Sequence, residues 1–150
     1  MEITKKDLNK TVWVKEEEIK NNRKWFIIDA KGQILWKVAS KIAQKLIWKD
    51  KSYYCDFWDT GDYVVVINAK DVKFTWNKLQ QKMYYRYSGY KWNLKSLNLE
   101  QMMQKHPERV IEHAVSGMLP KNRLRDPRLK RLKVFVDANH TYTNLSLEQF

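Results

Sequence analysis

Residues 105–135, KHPERVIEHAVSGMLPKNRLRDPRLKRLKVF, join an amphipathic helix to a dense basic run. Pro107 suits the first helical position, where its missing N–H would have no partner anyway. Apolar residues then recur at three- and four-residue spacing, which predicts a helix from about Pro107 to Ser116 with one buried stripe, formed by Val110, Ile111, Ala114, Val115 and Met118. Gly117 fits the left-handed position that closes such a helix, and Pro120 stops its continuation. We therefore expect the helix to be anchored in a core and to fix the basic segment at one place on the surface.

A strongly basic run follows this helix. Residues 121–133 contain a single acid, Asp126, and seven basic side chains, Lys121, Arg123, Arg125, Arg128, Lys130, Arg131 and Lys133. Because the run holds too few acids to pair these groups internally, we expect its arginines to be solvated and to contact phosphate. Solvated charges contribute little to stability, so exchanging all four arginines for glutamine is expected to leave the melting temperature nearly unchanged.

The excess positive charge of the chain is concentrated in two blocks. Of the net charge of +12, residues 70–95 carry +6, from seven basic groups and one acid. Residues 105–133 carry another +6, from nine basic and three acidic groups. If the two blocks meet in space, they form a cationic face suited to a polyphosphate.

The first block interleaves cations with aromatic residues. Ammonium and guanidinium groups can hold phosphates and aromatic planes can stack on exposed bases, so the mixture is typical of a nucleic-acid surface. The candidate contacts in this block are Lys78, Lys82, Arg86, Tyr87, Lys91 and Lys95. The alternative is that half of the tyrosines in this stretch pack beneath the loop.

Hydrophobic patterns predict an α/β fold. The predicted strands are Lys24–Ala30, Tyr63–Asn68, Val72–Trp76 and Leu132–Val136. Helical spacing over Leu35–Ile47 predicts a helix between the first two strands, and a connection of about thirty residues favours a right-handed parallel crossover. Asn98 can cap another helix, with Gln101 completing a capping box.

These elements predict a single three-layer α/β/α domain at residues 24–136, with a small, mainly parallel four-stranded sheet and basic loops. Residues 1–23 are predicted to form an N-terminal surface arm, and residues 137–150 a polar C-terminal tail with little to hold it. No run of about eighteen apolar residues occurs, so no membrane partner is expected.

Patterns for catalysis and metal binding are poor. His106, His113 and His140 have no Cys or Asp at ligand spacing. The acids of Asp59–Asp62 are too few for a calcium loop and favour a turn before a strand. Cys55 is the only cysteine and is expected to be a partly buried free thiol. We therefore expect no enzyme, no catalytic residue, no metal, no cofactor and no small-molecule substrate.

The motif GMLPK lies within VSGMLPKN (Val115–Asn122), between PERVIE (Pro107–Glu112) and LKVF (Leu132–Phe135). In these residues the chain closely resembles the bacterial-type large-subunit ribosomal protein L-thirteen family, for which GMLPK is highly specific. Other similar stretches follow the expected order upstream: Trp25–Gly32 (WFIIDAKG), Asp59–Ala69 (DTGDYVVVINA) and Tyr84–Tyr90 (YYRYSGY). The resemblance covers roughly residues 24–136.

This resemblance implies a structural constituent of the large ribosomal subunit that joins the particle early in assembly. Its implied partners are large-subunit ribosomal RNA and neighbouring large-subunit ribosomal proteins. A composition of 22 Lys to 7 Arg suits an AT-rich genome, either of an organelle (mitochondrion or plastid) or of a bacterium with a cytoplasmic ribosome. Two other hypotheses are a small RNA-processing or RNA-modifying enzyme and a free-standing RNA-binding regulator.

Four tryptophans stand where the family usually has glycine: Trp36, Trp48, Trp76 and Trp92. Tryptophan does not reach positive φ as freely as glycine does, and it keeps a phosphate further from the backbone. Genuine divergence is one explanation of this pattern. A glycine codon translated under the wrong genetic code is the other.

Overall fold

The computed structural model describes residues 16–49, 51 and 54–149. Its helices are α1 (Glu16–Asn21), α2 (Leu35–Ile47), α3 (Lys78–Gln81), α4 (Leu99–Lys105), α5 (Pro107–Met118) and α6 (Arg125–Lys130). Its strands are β1 (Trp25–Asp29), β2 (Tyr63–Ile67), β3 (Met83–Tyr87), β4 (Leu94–Asn98), β5 (Leu132–Val134) and β6 (Leu147–Gln149). None of the described helices is long and apolar enough to cross a bilayer.

Four of these strands form one parallel sheet in the order β5-β2-β1-β6. The sequence prediction of an α/β fold with a four-stranded, mainly parallel sheet is confirmed. The predicted membership of the sheet is wrong at one strand. Within the described residues Val72–Trp76 makes a single bridge, from Lys73 to Ile34, and the chain then turns at Trp76, whose φ is +64°.

The fourth strand comes from the predicted tail. In β6, Leu147 pairs with Trp25 of β1. Tyr142 packs against the Trp25 ring with 5.0 Å between ring centroids. The expectation that the tail has little to hold it is therefore wrong for Tyr142 and for Leu147–Gln149. A three-residue edge strand is too short to produce a periodic signal in the sequence.

The main core lies between the sheet and the helices α2 and α5. Strand residues alternate between faces, so Ile28, Val64 and Val66 point to the helices. The helices contribute Val38, Ala39, Ile42, Leu46, Ile111 and Val115. On the opposite face Trp25 stacks on Tyr63, with 4.2 Å between ring centroids. The predicted arm falls mostly outside the described residues, but its end forms α1, where Ile19 is buried.

Helix α5 has the predicted buried stripe in part. Val110, Ile111 and Val115 are buried, whereas Met118 is 41% exposed. Gly117 lies inside the helix, so its predicted left-handed conformation is wrong. The helix ends because Leu119 is extended (φ −76°, ψ 145°), as expected for a residue that precedes proline.

The stretch from Met83 to Asn98, which the sequence shows as non-periodic, forms an antiparallel hairpin of β3 and β4. Helix α4 follows directly. Its first turn has the predicted capping box, with Asn98 and Gln101 satisfying each other's backbone N–H groups. The hairpin therefore stands outside the parallel sheet and projects the first basic block.

Candidate nucleic-acid interface

The β3–β4 hairpin carries exposed cations on both strands. Arg86 lies directly opposite Lys95, and both side chains are exposed. Like charges at facing positions repel each other, so an anionic partner that binds between them would reduce this repulsion. Lys82 and Lys91 are exposed as well, and none of the four is paired with an acid in the part of the chain that the structure describes.

The tyrosines of the hairpin divide into one that packs and three that do not. Tyr84 is partly buried against the core, and burial raises the pKa of its hydroxyl above the ordinary value. Its ring also lies 5.7 Å from that of His113 on α5. Tyr85, Tyr87 and Tyr90 are all more than half exposed. The alternative in which half of the tyrosines pack beneath the loop therefore holds for Tyr84 alone among these four.

The second basic block reaches α5 beside the hairpin. The Arg125 guanidinium donates through Nε to the Ser116 hydroxyl at 3.1 Å, and through Nη2 to the same oxygen. Ser116 lies three residues after His113, which is the contact of Tyr84, so both attachments are on one face of α5. At 1.5 Å of rise per residue they are about 4.5 Å apart along the helix axis.

Three exposed cations from the two blocks lie at this meeting point. Lys78 and Lys82 line the depression at His113, and Lys130 lines the adjoining one with Ser116. Lys121 and Arg123 are exposed on the connection from α5 to α6, while Lys133 is half-buried in β5. Two acids, Glu112 and Asp126, also line the depression at Ser116 and offset part of the charge there.

Arg128 and Arg131 are placed differently from the rest of their run. They are 2% and 4% exposed, so the expectation that all four arginines are solvated is wrong for these two. Arg131 makes a two-pronged ion pair with Asp59 through Nη1 and Nη2, the second prong at 2.7 Å. The Arg128 Nε lies 3.5 Å from the same carboxylate.

The acid that pairs these arginines lies 72 positions before Arg131, in the turn that precedes β2. Counting the acids within residues 121–133 therefore misses Asp59 as a partner. Arg131 also donates to the Leu46 carbonyl at 3.2 Å, which is one of the acceptors left unpaired at the end of α2. The guanidinium therefore holds together the end of α2, the turn at Asp59 and the start of β5.

The turn Asp59–Asp62 is built for this close packing. A Cβ on Gly61 would lie 1.7 Å from the Leu46 carbonyl oxygen and 2.9 Å from Arg131 Nη2, so no side chain fits there. Asp62 is completely buried and accepts from the Lys24 N–H at 2.9 Å and from Lys51 Nζ at 2.7 Å. Acids that directly precede a buried strand require partners, and that rule could have signalled their role in the sequence.

The histidines and the cysteine do not gather into a site. Nowhere in residues 16–49, 51 and 54–149 do three or more His, Cys, Asp or Glu side chains group as a metal would require. The His106 Nδ1 lies 3.4 Å from the Glu108 Oε1, and the His140 ring packs against that of Phe135. Cys55 is half-buried with a free thiol.

Comparisons with known proteins cover most of the chain. The family model described as ribosomal protein L13 matches residues 23–141. The large ribosomal subunit protein uL13 of Thermotoga petrophila is 49% identical over 135 residues, covering 90% of this chain and 89% of that protein. The protein of the same name from Stutzerimonas stutzeri is 49% identical over 134 residues, covering 89% and 93%. That of Maridesulfovibrio salexigens is 47% identical over 134 residues, with the same coverage.

Proposed function

The chain belongs to the ribosomal protein L13 family, and from that premise we propose that it is a structural constituent of the large ribosomal subunit that binds large-subunit RNA and supports early assembly. The observation that carries RNA binding is the meeting of two basic blocks on one face of α5. Both blocks present exposed cations there, and nucleic acid is the polyanion that such a face fits.

The proposed phosphate contacts are the cations that remain accessible. They are Lys78, Lys82, Arg86, Lys91, Lys95, Lys121, Arg123, Arg125, Lys130 and Lys133, with Tyr87 as a candidate for stacking. Arg128 and Arg131 are not among the proposed contacts, because both are buried and paired with Asp59. Tyr85 and Tyr90 join Tyr87 as exposed rings that can stack on unpaired bases.

The mechanism is assembly and involves no reaction. The hairpin and the connection to α6 both extend from the α/β core, which limits where their cations can lie relative to each other. Each phosphate contact releases condensed counterions, which favours binding and lowers the repulsion between RNA helices brought together. A protein that bridges two helices in this way stabilises their packing, which supports a role early in subunit formation. Neighbouring large-subunit proteins are its further proposed partners.

We place the protein in the ribosome. The relatives described above are bacterial, which favours a bacterial over an organellar ribosome. Membership in a family of structural ribosomal proteins also argues against the RNA-processing and RNA-modifying alternatives. A free-standing RNA-binding regulator is separated from the proposal by experiment.

Co-sedimentation tests the proposal directly. The tagged protein should sediment with large subunits through a gradient and stay bound after a moderate salt wash. A hairpin variant, Lys82→Gln, Arg86→Gln, Lys91→Gln and Lys95→Gln, should dissociate at lower salt. Recovery of the wild-type protein only in the ribosome-free fractions would contradict the ribosomal role and favour the regulator.

A matched control removes the same charge elsewhere. Lys31, Lys37, Lys41 and Lys49 are exposed and lie outside both basic blocks. Their exchange for glutamine should change binding much less than the hairpin variant does. Equal loss in both variants would mean that net charge, and not the arrangement on α5, determines binding.

A further inference from the structure

The backbone has positive φ at four described residues that are not glycine. They are Trp48 (47°), Asn68 (57°), Trp76 (64°) and Trp92 (64°). Asparagine visits this region readily, because its short polar side chain can hydrogen-bond locally. For a bulky residue the same conformation is a genuine outlier, and here three tryptophans adopt it.

The side chains of two of these tryptophans make no contact with other described residues that would stabilise the left-handed conformation. Trp76 is 90% exposed and Trp92 is 99% exposed. Neither makes a ring contact within the described residues. Trp92 lies in the hairpin loop with Gly89, whose φ is also positive, at 92°. An indole that stacks on RNA would explain an exposed ring, but it would not require a left-handed backbone.

Trp48 occupies a position that glycine dominates in other helices. It follows the last residue of α2 in the left-handed conformation, and its N–H donates to the Gln44 carbonyl. Here the ring does have neighbours, Phe26 at 4.9 Å between centroids and the Lys45 ammonium at 3.8 Å. These contacts stabilise the ring, but the backbone at position 48 still needs a positive φ.

The composition points the same way. Soluble proteins average about 7% glycine, which would be roughly ten residues in a chain of this length. This chain has four glycines and seven tryptophans. The other described tryptophans, Trp25, Trp36 and Trp58, have no positive φ. The tryptophans that the structure describes therefore fall into two groups that the backbone conformation separates.

We infer that the protein made in its own cell carries glycine at positions 48, 76 and 92, its gene being read there by a code in which the triplet translated as tryptophan specifies glycine. Position 36 is not decided by this argument, because it lies in the first turn of α2 with an ordinary helical backbone. Glycine at 76 and 92 changes the proposed RNA surface. The turn before α3 and the hairpin tip then present bare backbone N–H groups to phosphate, and tyrosines supply the aromatic planes.

Mass spectrometry of the protein purified from its own cells tests the inference. Cleavage after lysine places the three positions in the peptides Leu46–Lys49, Phe74–Lys78 and Trp92–Lys95. The mass of each peptide should be lower than the mass calculated with tryptophan, by the difference between a tryptophan and a glycine residue. Peptides containing Trp25 and Trp58 are internal controls and should have the printed mass. Tryptophan found at 48, 76 or 92 would overturn the inference, whether or not the protein came from ribosomes.

The gene gives a second, independent check. The triplets at 48, 76 and 92 should be identical to one another and should differ from those at 25 and 58. One triplet shared by both groups would overturn the inference, since a single code cannot read it in two ways within one message.

Discussion

The basic run after α5 contains two kinds of cation that its sequence does not distinguish. Lys121, Arg123 and Lys130 are exposed and have no acidic partner in the part of the chain that the structure describes. Arg128 and Arg131 lie within the same few positions and are buried against Asp59. We call these two sets the outer cations and the inner arginines. The contrast teaches that a dense run of basic residues does not by itself mark a binding surface. Burial separates the cations that are accessible to an RNA partner from those that stabilise the fold.

The largest effect is expected from exchanging one inner arginine. Arg131→Gln removes the two-pronged pair of a buried arginine and leaves the partly buried Asp59 carboxylate only partly compensated. Breaking such a pair typically costs about 3–5 kcal/mol, a large part of a stability of about 5–15 kcal/mol. Urea denaturation of the purified variant measures the loss.

Arg123→Gln is the matched control, since it makes the same exchange on an outer cation. Its stability should stay within about 0.5 kcal/mol of wild type. Equal stability of the two variants would show that Arg131 is not part of the core. The expectation that all four arginines can be exchanged without lowering the melting temperature is thus replaced by opposite expectations for the two sets.

The second prediction concerns the turn that receives the inner arginines. Gly61→Ala places a methyl group against the Leu46 carbonyl and Arg131 Nη2, so α2 and the turn must separate. Overpacking of this kind costs about 1–3 kcal/mol. Gly117→Ala is the control, because its Cβ meets no atom within 4 Å and the residue lies in a helix. It should raise stability by about 0.5–1 kcal/mol.

These cases show what the sequence could and could not predict. The sequence predicts helices α2 and α5 because their apolar residues recur with a clear helical period, and strands β1 and β2 because each is a short continuous apolar run. The inner arginines were missed because their partner is distant in sequence, and only the folded chain brings Asp59 to them. Strand β6 was missed because three residues carry no period, and Val72–Trp76 was overpredicted because a turn at Trp76 ends its pairing.

The third prediction tests the backbone at the hairpin and at the turn before α3. The reference protein is expressed in a host that inserts tryptophan at positions 76 and 92. In the variants Trp76→Gly and Trp92→Gly an exposed ring is lost, and the left-handed backbone conformation no longer carries a side chain. Each should gain about 1–2 kcal/mol, the usual cost of that conformation for a residue with a Cβ. Trp36→Gly is the control and should lose about 1 kcal/mol, because glycine is a poor helix former. Destabilisation of all three variants alike would mean that the exposed rings pack in solution.

The salt dependence of RNA affinity tests most directly whether the outer cations bind phosphate. The triple variant Lys121→Gln, Arg123→Gln and Lys130→Gln should keep the wild-type melting temperature and bind large-subunit RNA more weakly. The plot of log affinity against log salt concentration should become shallower by about 2–3 units, since each lost phosphate contact removes about 0.7–0.9. An unchanged slope in a folded variant would contradict the account, because the outer cations would then make no phosphate contact.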